Sequence, residues 1–548
     1  MKNVLNVLNV LNVFKALLLM AVSAQLAFAG ITDEASFTKA LVGKKTSDKE
    51  LAIDWVIETQ TEDVSKPILD GWLNGNLYYF NEKQSEQYKQ LYLIQNIKTA
   101  TSAQSVWTDS TLNIENARQF KKVRVNNKLR GILRGEIASI GLNSGNPDVR
   151  YKAVLDLLGT KDADIIERIA ELRANESEGK VAELMDLSLA IYSSLDKSVA
   201  IEERVTSIER VGDFKHSVVL KTLNQLLNTE QDPSITAAAE RAMDSYQQSQ
   251  ALYSGVETVF FGLSLGSVLV LAGIGLAITF GVMGVINMAH GELIMIGAYT
   301  TYVMQLLMPN HIGLALILSI PAAFIVSGLV GIVIERSVIR HLYGRPLETL
   351  LATFGISLIL QQAVRSIFSP LNRSVSTPEW MSGALQLNPM LSLTYNRLYI
   401  ILFCGLVFMG LLMVLKKTPL GLQVRAVSQN RGMARAMGIR SERVDAMTFG
   451  LGSGVAGVAG VALSQLTNVG PNMGQAYIID SFMVVVFGGV GNLWGTLVAG
   501  LSLGLFNKIL EPWAGAVLAK ILVLVFIILF IQKRPRGLFP QRGRAAEG

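Results

Sequence analysis

Residues 280–300 read FGVMGVINMAHGELIMIGAYT and decide what kind of chain this is. Long apolar runs flank the stretch, yet Asn287, His290 and Glu292 fall within six residues of one another inside it. An amide, an imidazole and a carboxylate are costly in hydrocarbon. They persist there only when packed against one another or along a wet path, so the cluster marks a candidate site. Gly281, Gly284, Gly291 and Gly297 surround it and permit either close helix approach or a broken helix. Two readings stay open for Asn287, His290, Gly291 and Glu292: a permeation or gating element, or a tight interhelical contact with no solute role.

Outward from that stretch, apolar runs cover residues 259–280, 285–307, 312–334, 350–368, 398–415, 447–466, 482–489, 497–510 and 517–531. A run of about 20 apolar residues crosses a bilayer. The chain therefore predicts an all-α membrane bundle of eight or nine crossings over residues 256–540. The runs at 482–489 and 497–510 are short and bracket GGVGNLWG, which places a second glycine-rich break at Gly489, Gly491 and Asn492. GVMGVIN and GGVGN lie in different halves of the apolar region. Paired interruptions of this kind point to a transporter's path.

Charge divides the chain. Residues 30–250 hold 27 Lys plus Arg against 33 Asp plus Glu, a net −6; residues 251–548 hold 20 against 10, a net +10. Those positives sit between spans, so they give no reason to expect nucleic acid. With residue 256 placed outside, fifteen of the twenty fall on the inner side of alternating crossings, among them Arg336, Lys416, Arg425 and Lys533. This asymmetry is the positive-inside pattern and sets an inner carboxy terminus, residues 541–548 forming a cytoplasmic tail.

Residues 1–29 carry Lys2 and Lys15 ahead of ALLLMAVSAQLAFA, with small residues at Ala27 and Ala29, and read as a secretory signal peptide. Residues 30–250 are then an exported domain. Its pattern is helical: NPDVRYKAVLDLLGT, ADIIERIAELRANE, KVAELMDLSLAIYSSL and VAIEERVTSIERVG each repeat apolar residues at three- and four-residue steps. Such short paired helices predict a HEAT-like solenoid, with a further pair at 51–73, a long loop at 107–122 and a helix at 125–140. His216 falls at a helix start as a capping or surface residue, and no catalytic or metal constellation is present. The only cysteine, Cys404, lies in an apolar run, so the chain contains no disulfide.

Residues 418–444, TPLGLQVRAVSQNRGMARAMGIRSERV, are too polar to span. Val424, Val427, Met433, Met437 and Ile439 predict a short amphipathic helix at the inner face, offering its apolar strip to a partner or lying on lipid. No GxxxxGK[ST] occurs in the chain, so nucleotide hydrolysis, if used, must come from another chain.

VINMAHGELIMIGAY, IERSVIRHLYGRPLETLLATFGISLIL, TPLGLQVRAVSQNRGMARAMGIR, FGLGSGVAGVAGVALSQ, SFMVVVFGGVGNLWGTLVAG and RPRGLFP, in that order, resemble permeases of branched-chain-amino-acid-type ABC importers. The segment NNKLRGILRGEIASIGLNSGNPDVRYKAV resembles the urea-type permease subunit of that family. The resemblance implies a permease subunit, with no enzyme activity and no bound cofactor or metal, in the bacterial inner membrane. It implies a second homologous permease, two ATPase subunits that hydrolyse ATP, and a periplasmic binding protein. It places Gly421, Arg425, Ala426, Asn430, Ala434 and Gly438 in the ATPase-coupling loop, and Asn287, His290, Gly291 and Glu292 in the family's Asn-x-Ala-His-Gly-Glu-like segment. Met288 departs from the aromatic expected there. Urea or short amides are the implied solutes, branched-chain amino acids the alternative, and a stand-alone channel or ion-coupled carrier the reading from another class.

Overall fold

The computed structural model describes residues 31–539, apart from 83, 84, 86, 98, 109 and 115; the signal-peptide segment 1–29 and the tail 541–548 lie outside the described residues. The chain is all-α in class and forms two compact units, divided between Tyr246 and Gln247.

In the amino-terminal unit, α1 (Glu34–Val42), α2 (Thr46–Thr59) and α3 (Glu62–Asn74) pack around Phe37, Ile53, Trp72 and Leu129. Residues 77–122, which the sequence pattern leaves partly as a loop, form a five-stranded antiparallel sheet. Its strands are β1 (Leu77–Phe80), β2 (Leu91–Leu93), β3 (Ser102–Ser105), β4 (Thr111–Asn113) and β5 (Phe120–Lys122), ordered β4-β3-β2-β1-β5. Tyr78 pairs with Tyr92, and Phe80 with Phe120. Trp107 packs edge-on to Phe37 at 5.5 Å and Trp55 at 6.3 Å, which fastens the β3–β4 connection to the helices.

Helices α4 (Asn127–Gly141), α5 (Pro147–Leu157), α6 (Ala163–Arg173), α7 (Gly179–Leu195), α8 (Ile201–Asp213) and α9 (Ser217–Thr229) follow, packing largely on near neighbours in the chain. Asn126, Asn146 and Asp162 cap α4, α5 and α6 through their side-chain oxygens. His216 caps α9 by accepting from the Val218 amide. Arg150 of α5 grips Glu176 in the α6–α7 connection at 2.7 and 2.8 Å, and Arg204 of α8 meets Glu230 at the end of α9 at 3.0 Å with both side chains buried.

No linker separates the two units in sequence, because α10 (Pro233–Met283) continues from one into the other as a 51-residue helix. The second unit adds α11 (His290–Leu307), α12 (Ile312–Ser337), α13 (Pro346–Phe368), α14 (Tyr395–Lys417), α15 (Pro419–Gln429), α16 (Arg431–Ala436), α17 (Ser441–Ser464), α18 (Met473–Gly488) and α19 (Leu493–Lys533). Six of these, α10, α12, α13, α14, α17 and α19, are long and apolar enough to cross a membrane among the described residues. α11 and α18 are shorter at 18 and 16 residues, and α19 bends at Gly515, where φ is +78°. The bend joins the runs at 497–510 and 517–531 into one interrupted helix.

Glycine sets how close these helices come. α17 is buried along nearly its whole length, and a Cβ at Gly452, Gly457 or Gly460 would strike the backbone of α10, α12 or α11. Apolar helices gain nothing from exclusion of water inside hydrocarbon, so close backbone approach and interhelical hydrogen bonds carry the association.

Candidate functional site

The first glycine break is real. α10 stops where Gly284 takes φ +67°, and six residues of non-helical chain precede α11. Asn287 Oδ1 accepts from the Ala289 amide at 3.0 Å and so starts the next helix. Asn287, His290 and Glu292 are all buried. The three side chains do not bond to one another: Asn287 turns onto its own chain at Ala289, while His290 and Glu292 reach two different helices.

His290 Nε2 lies 2.8 Å from the Ala272 carbonyl of α10. A carbonyl only accepts, so Nε2 carries the proton there. Gly291 faces Gly474, whose backbone occupies the space that a side chain would need, and this seats α11 on α18. Glu292 points its Oε1 to α13, accepting from Ser357 Oγ at 3.0 Å and Gln361 Nε2 at 2.7 Å. One turn earlier the Met288 amide donates to Thr353 Oγ1 at 3.1 Å.

These partners reveal what the sequence reading passed over. Thr349, Thr353, Ser357 and Gln361 recur every four residues on α13, all buried, and Arg365 continues the row to Asn472 at 2.6 Å. Sixteen residues of helix rise about 24 Å, most of a hydrocarbon core of about 30 Å. A polar residue at each fourth position of an otherwise apolar span was the available signal. Four atoms in this region have no hydrogen-bond partner among the described residues: Asn287 Nδ2, His290 Nδ1, Glu292 Oε2 and Tyr299 Oη.

The α13 row ends under a closed cover. Tyr299 stacks on Phe368 at 4.8 Å, with Tyr302 edge-on to both. Arg373 and Val469 exchange two backbone hydrogen bonds of 2.7 and 2.8 Å, and the Gln305 side-chain amide donates to the Ser376 carbonyl at 2.8 Å and accepts from its amide at 2.9 Å.

The second break also forms, with φ +103° at Gly489 and +79° at Gly491. It meets the first: Gly281 packs directly on Gly491. The polar groups of this break serve helix capping and the carboxy-terminal segment. Asn492 Oδ1 accepts from Trp494 and Gly495, its Nδ2 donates to the Phe539 carbonyl at 3.2 Å, and Leu538 and Phe539 donate to the carbonyls of Phe487 and Gly488. Gly489 packs on Gly537. The structure thus ties Met288 and Glu292 to α13, turns Asn287 onto the Ala289 amide, seats Gly491 on Gly281, and brings Gly489 and Asn492 to residues 536–539.

Residues 418–440 form two short helices, α15 and α16. The apolar strip expected to face a partner divides. Val424, Val427 and Ala434 are buried against Val444, with Ala426 and Ile439 packed beside them, whereas Leu422, Met433 and Met437 stand 64%, 62% and 77% exposed. Gly421 abuts the Leu415 carbonyl, and Arg425 Nη1 donates to that same oxygen at 2.6 Å. Asn430 caps α16, and Gly438 takes φ +87° to turn into α17. Arg431 pairs with Asp445 and lies 3.9 Å over the Tyr343 ring. Among the described residues no group of three or more His, Cys, Asp or Glu side chains could hold a metal.

The family model described as "Branched-chain amino acid transport system / permease component" matches residues 258–531, half of the chain. The chain belongs to this permease family. It is similar to the high-affinity branched-chain amino acid permease BraD of Pseudomonas aeruginosa, 29% identical over 296 residues that are 52% of this chain and 96% of that one. LivH of Escherichia coli K12 is 29% identical over 294 residues, 52% and 94% of the two chains. LivH of Methanocaldococcus jannaschii, a probable branched-chain amino acid permease, is 26% identical over 283 residues, 50% and 88%. No solved structure matches the chain. A permease of this family is a multi-pass inner-membrane protein without an ATPase site of its own, and works with ATPase and solute-binding partners.

Proposed function

We propose that this permease forms one half of an alternating-access import path driven by ATP hydrolysis on separate subunits. A second homologous permease completes the path, two ATPase subunits dock at the inner face, and a periplasmic binding protein delivers solute. The chain itself binds no cofactor. The observation that carries this reading is the family match over the same residues that hold the buried α11–α13 polar tie. The solute path follows that tie, and the loop holding Gly421, Arg425, Ala426, Asn430, Ala434 and Gly438 receives the ATPase through Leu422, Met433 and Met437. The charge pattern supports an amino-terminal unit outside the membrane and an inner carboxy terminus.

For the solute, the similarity to branched-chain amino acid permeases favours branched-chain amino acids. A second reading, urea or short amides, has one specific support: those relatives match almost their full length within only 52% of this chain, which leaves the amino-terminal unit, and its resemblance to urea-type permeases, outside the match. The deciding experiment is uptake of labelled leucine, urea and acetamide by the complete importer in cells lacking their own carriers. Saturable, ATP-dependent uptake of one solute class assigns the function; uphill accumulation by this chain alone would refute the importer reading.

A further inference from the structure

α11 is held by two kinds of contact. Against α17 and α18 it is in backbone contact, Gly297 on Gly457, Gly460 on Ile294 and Gly291 on Gly474. The hydrogen bonds that tie it to α13 all involve side chains: Met288 N–H to Thr353, and Glu292 to Ser357 and Gln361. Backbone contacts of the first kind cannot open without rebuilding the packing. A water or a solute can replace a side-chain hydrogen bond at little net cost, and the α11–α13 seam holds three of them against one each to α10 and α12, so this seam can become wet more readily than the glycine contacts.

The seam, and the chain next to its Met288–Thr353 bond, offer unused groups of both kinds. Glu292 Oε2 is an acceptor and Asn287 Nδ2 a donor; their residues are 1% and 0% exposed, and neither atom has a partner among the described residues. Burying an ionisable or amide group unpaired is unfavourable, and a ligand that pairs both relieves the cost.

We infer that the α11–α13 seam is a solute site in its own right, resting on the import reading above. Its ligand is a small polar solute that presents an N–H donor to Glu292 and a nearby oxygen acceptor to Asn287. An amide or urea meets this with adjoining N–H and C=O groups, an amino acid with its ammonium and carboxylate. Ser357 and Gln361, already bonded to the other oxygen of Glu292, hold that carboxylate in place, and Thr353 continues the row for the next step. Specificity thus lies partly in the permease and not solely in the binding protein.

The test uses the complete importer in liposomes loaded with ATP, with rates measured against concentration of leucine, urea and acetamide. Glu292→Gln should raise KM for the transported solute about tenfold or more, the effect of one hydrogen bond to a charged group, at normal yield of assembled complex. Ser357→Ala and Gln361→Ala should raise it less, and Glu335→Gln, a buried carboxylate on α12, should leave it unchanged. In a Cys404→Ala background, Thr353→Cys should react with a small charged thiol reagent during turnover and be protected by the solute. Unchanged KM in all three seam variants, together with an unreactive Thr353→Cys, overturns the proposal. Failure of the unaltered complex to move any of the three solutes overturns the import reading instead.

Discussion

Gly297→Ala should destabilise the membrane unit, and the structure gives the size. The new methyl would lie on the carbonyl and Cα of Gly457, all backbone, while Gly460 of the same helix already rests on the Ile294 carbonyl. No side chain can swing away, so α11 and α17 must part by roughly 1 Å to recover ordinary contact. Overpacking of this kind costs about 1–3 kcal/mol, and the better helix propensity of alanine returns ~1 kcal/mol, leaving a net loss of up to about 2 kcal/mol. Gly410→Ala on α14 is the control: nothing lies within 4 Å of its Cβ position, so only the propensity gain applies. Cys404, the sole cysteine and buried, reports the event, because thiol-reactive dye reaches it only when the bundle opens. The propensity gain cancels between the two variants, so they should differ by the overpacking cost, about 1–3 kcal/mol, a few degrees in the temperature of half-labelling. Equal midpoints, or Gly297→Ala the more stable, would refute backbone contact as what holds α11 to α17.

Three further outcomes follow from the same geometry. Arg204→Met leaves Glu230 buried beside only the more exposed Lys197, and should cost the amino-terminal unit about 3 kcal/mol, read as a lower denaturant midpoint for proteolysis within residues 31–246 of the full chain. Burial, then the charges of Asp54 and Asp162, hold the Glu136 carboxyl above its ordinary range. A raised carboxyl pKa means that protonation favours the folded state, so this group stabilises as pH falls from neutral towards the unfolded value near 4.3. Glu136→Gln should therefore raise the melting temperature at pH 7 and flatten its rise on acidification. Met433→Asp with Met437→Asp should reduce solute-stimulated ATP hydrolysis in the assembled importer while the amount of membrane-inserted chain stays the same, since both side chains are exposed and unpacked; normal stimulation would remove α16 from the coupling surface.

How far the site could be read from residues alone differs by element. Asn287 and Glu292 were visible because polar groups between apolar runs stand out in any window. The α13 row was equally present as Thr349, Thr353, Ser357 and Gln361, yet hydroxyl and amide residues spaced four apart lower the mean hydropathy too little to interrupt an apolar run. Arg425 reads as a free surface cation for a partner, but in the fold it caps the Leu415 carbonyl. The sheet at 77–122 is not legible because strands such as SAQS and TLN are three or four residues long, too short for their alternation of polar and apolar residues to stand out. Its order comes from pairing with Tyr78 and Tyr92, not from local propensity.

From its residues alone the chain determined the all-α class, the positions of the apolar spans, both glycine breaks, the cap at His216, and the asymmetry of charge. Each of these depends on side chains within a few positions of one another, or on a sum over many. Only the tertiary structure decided that Glu292 meets Ser357 and Gln361, 65 and 69 positions away, that Gly297 lies on Gly457, and that Asn492 closes on Phe539 rather than on Asn287. A hydrogen bond or a backbone contact acts over a few ångströms, and which residues come within that range is set by the packing of whole helices.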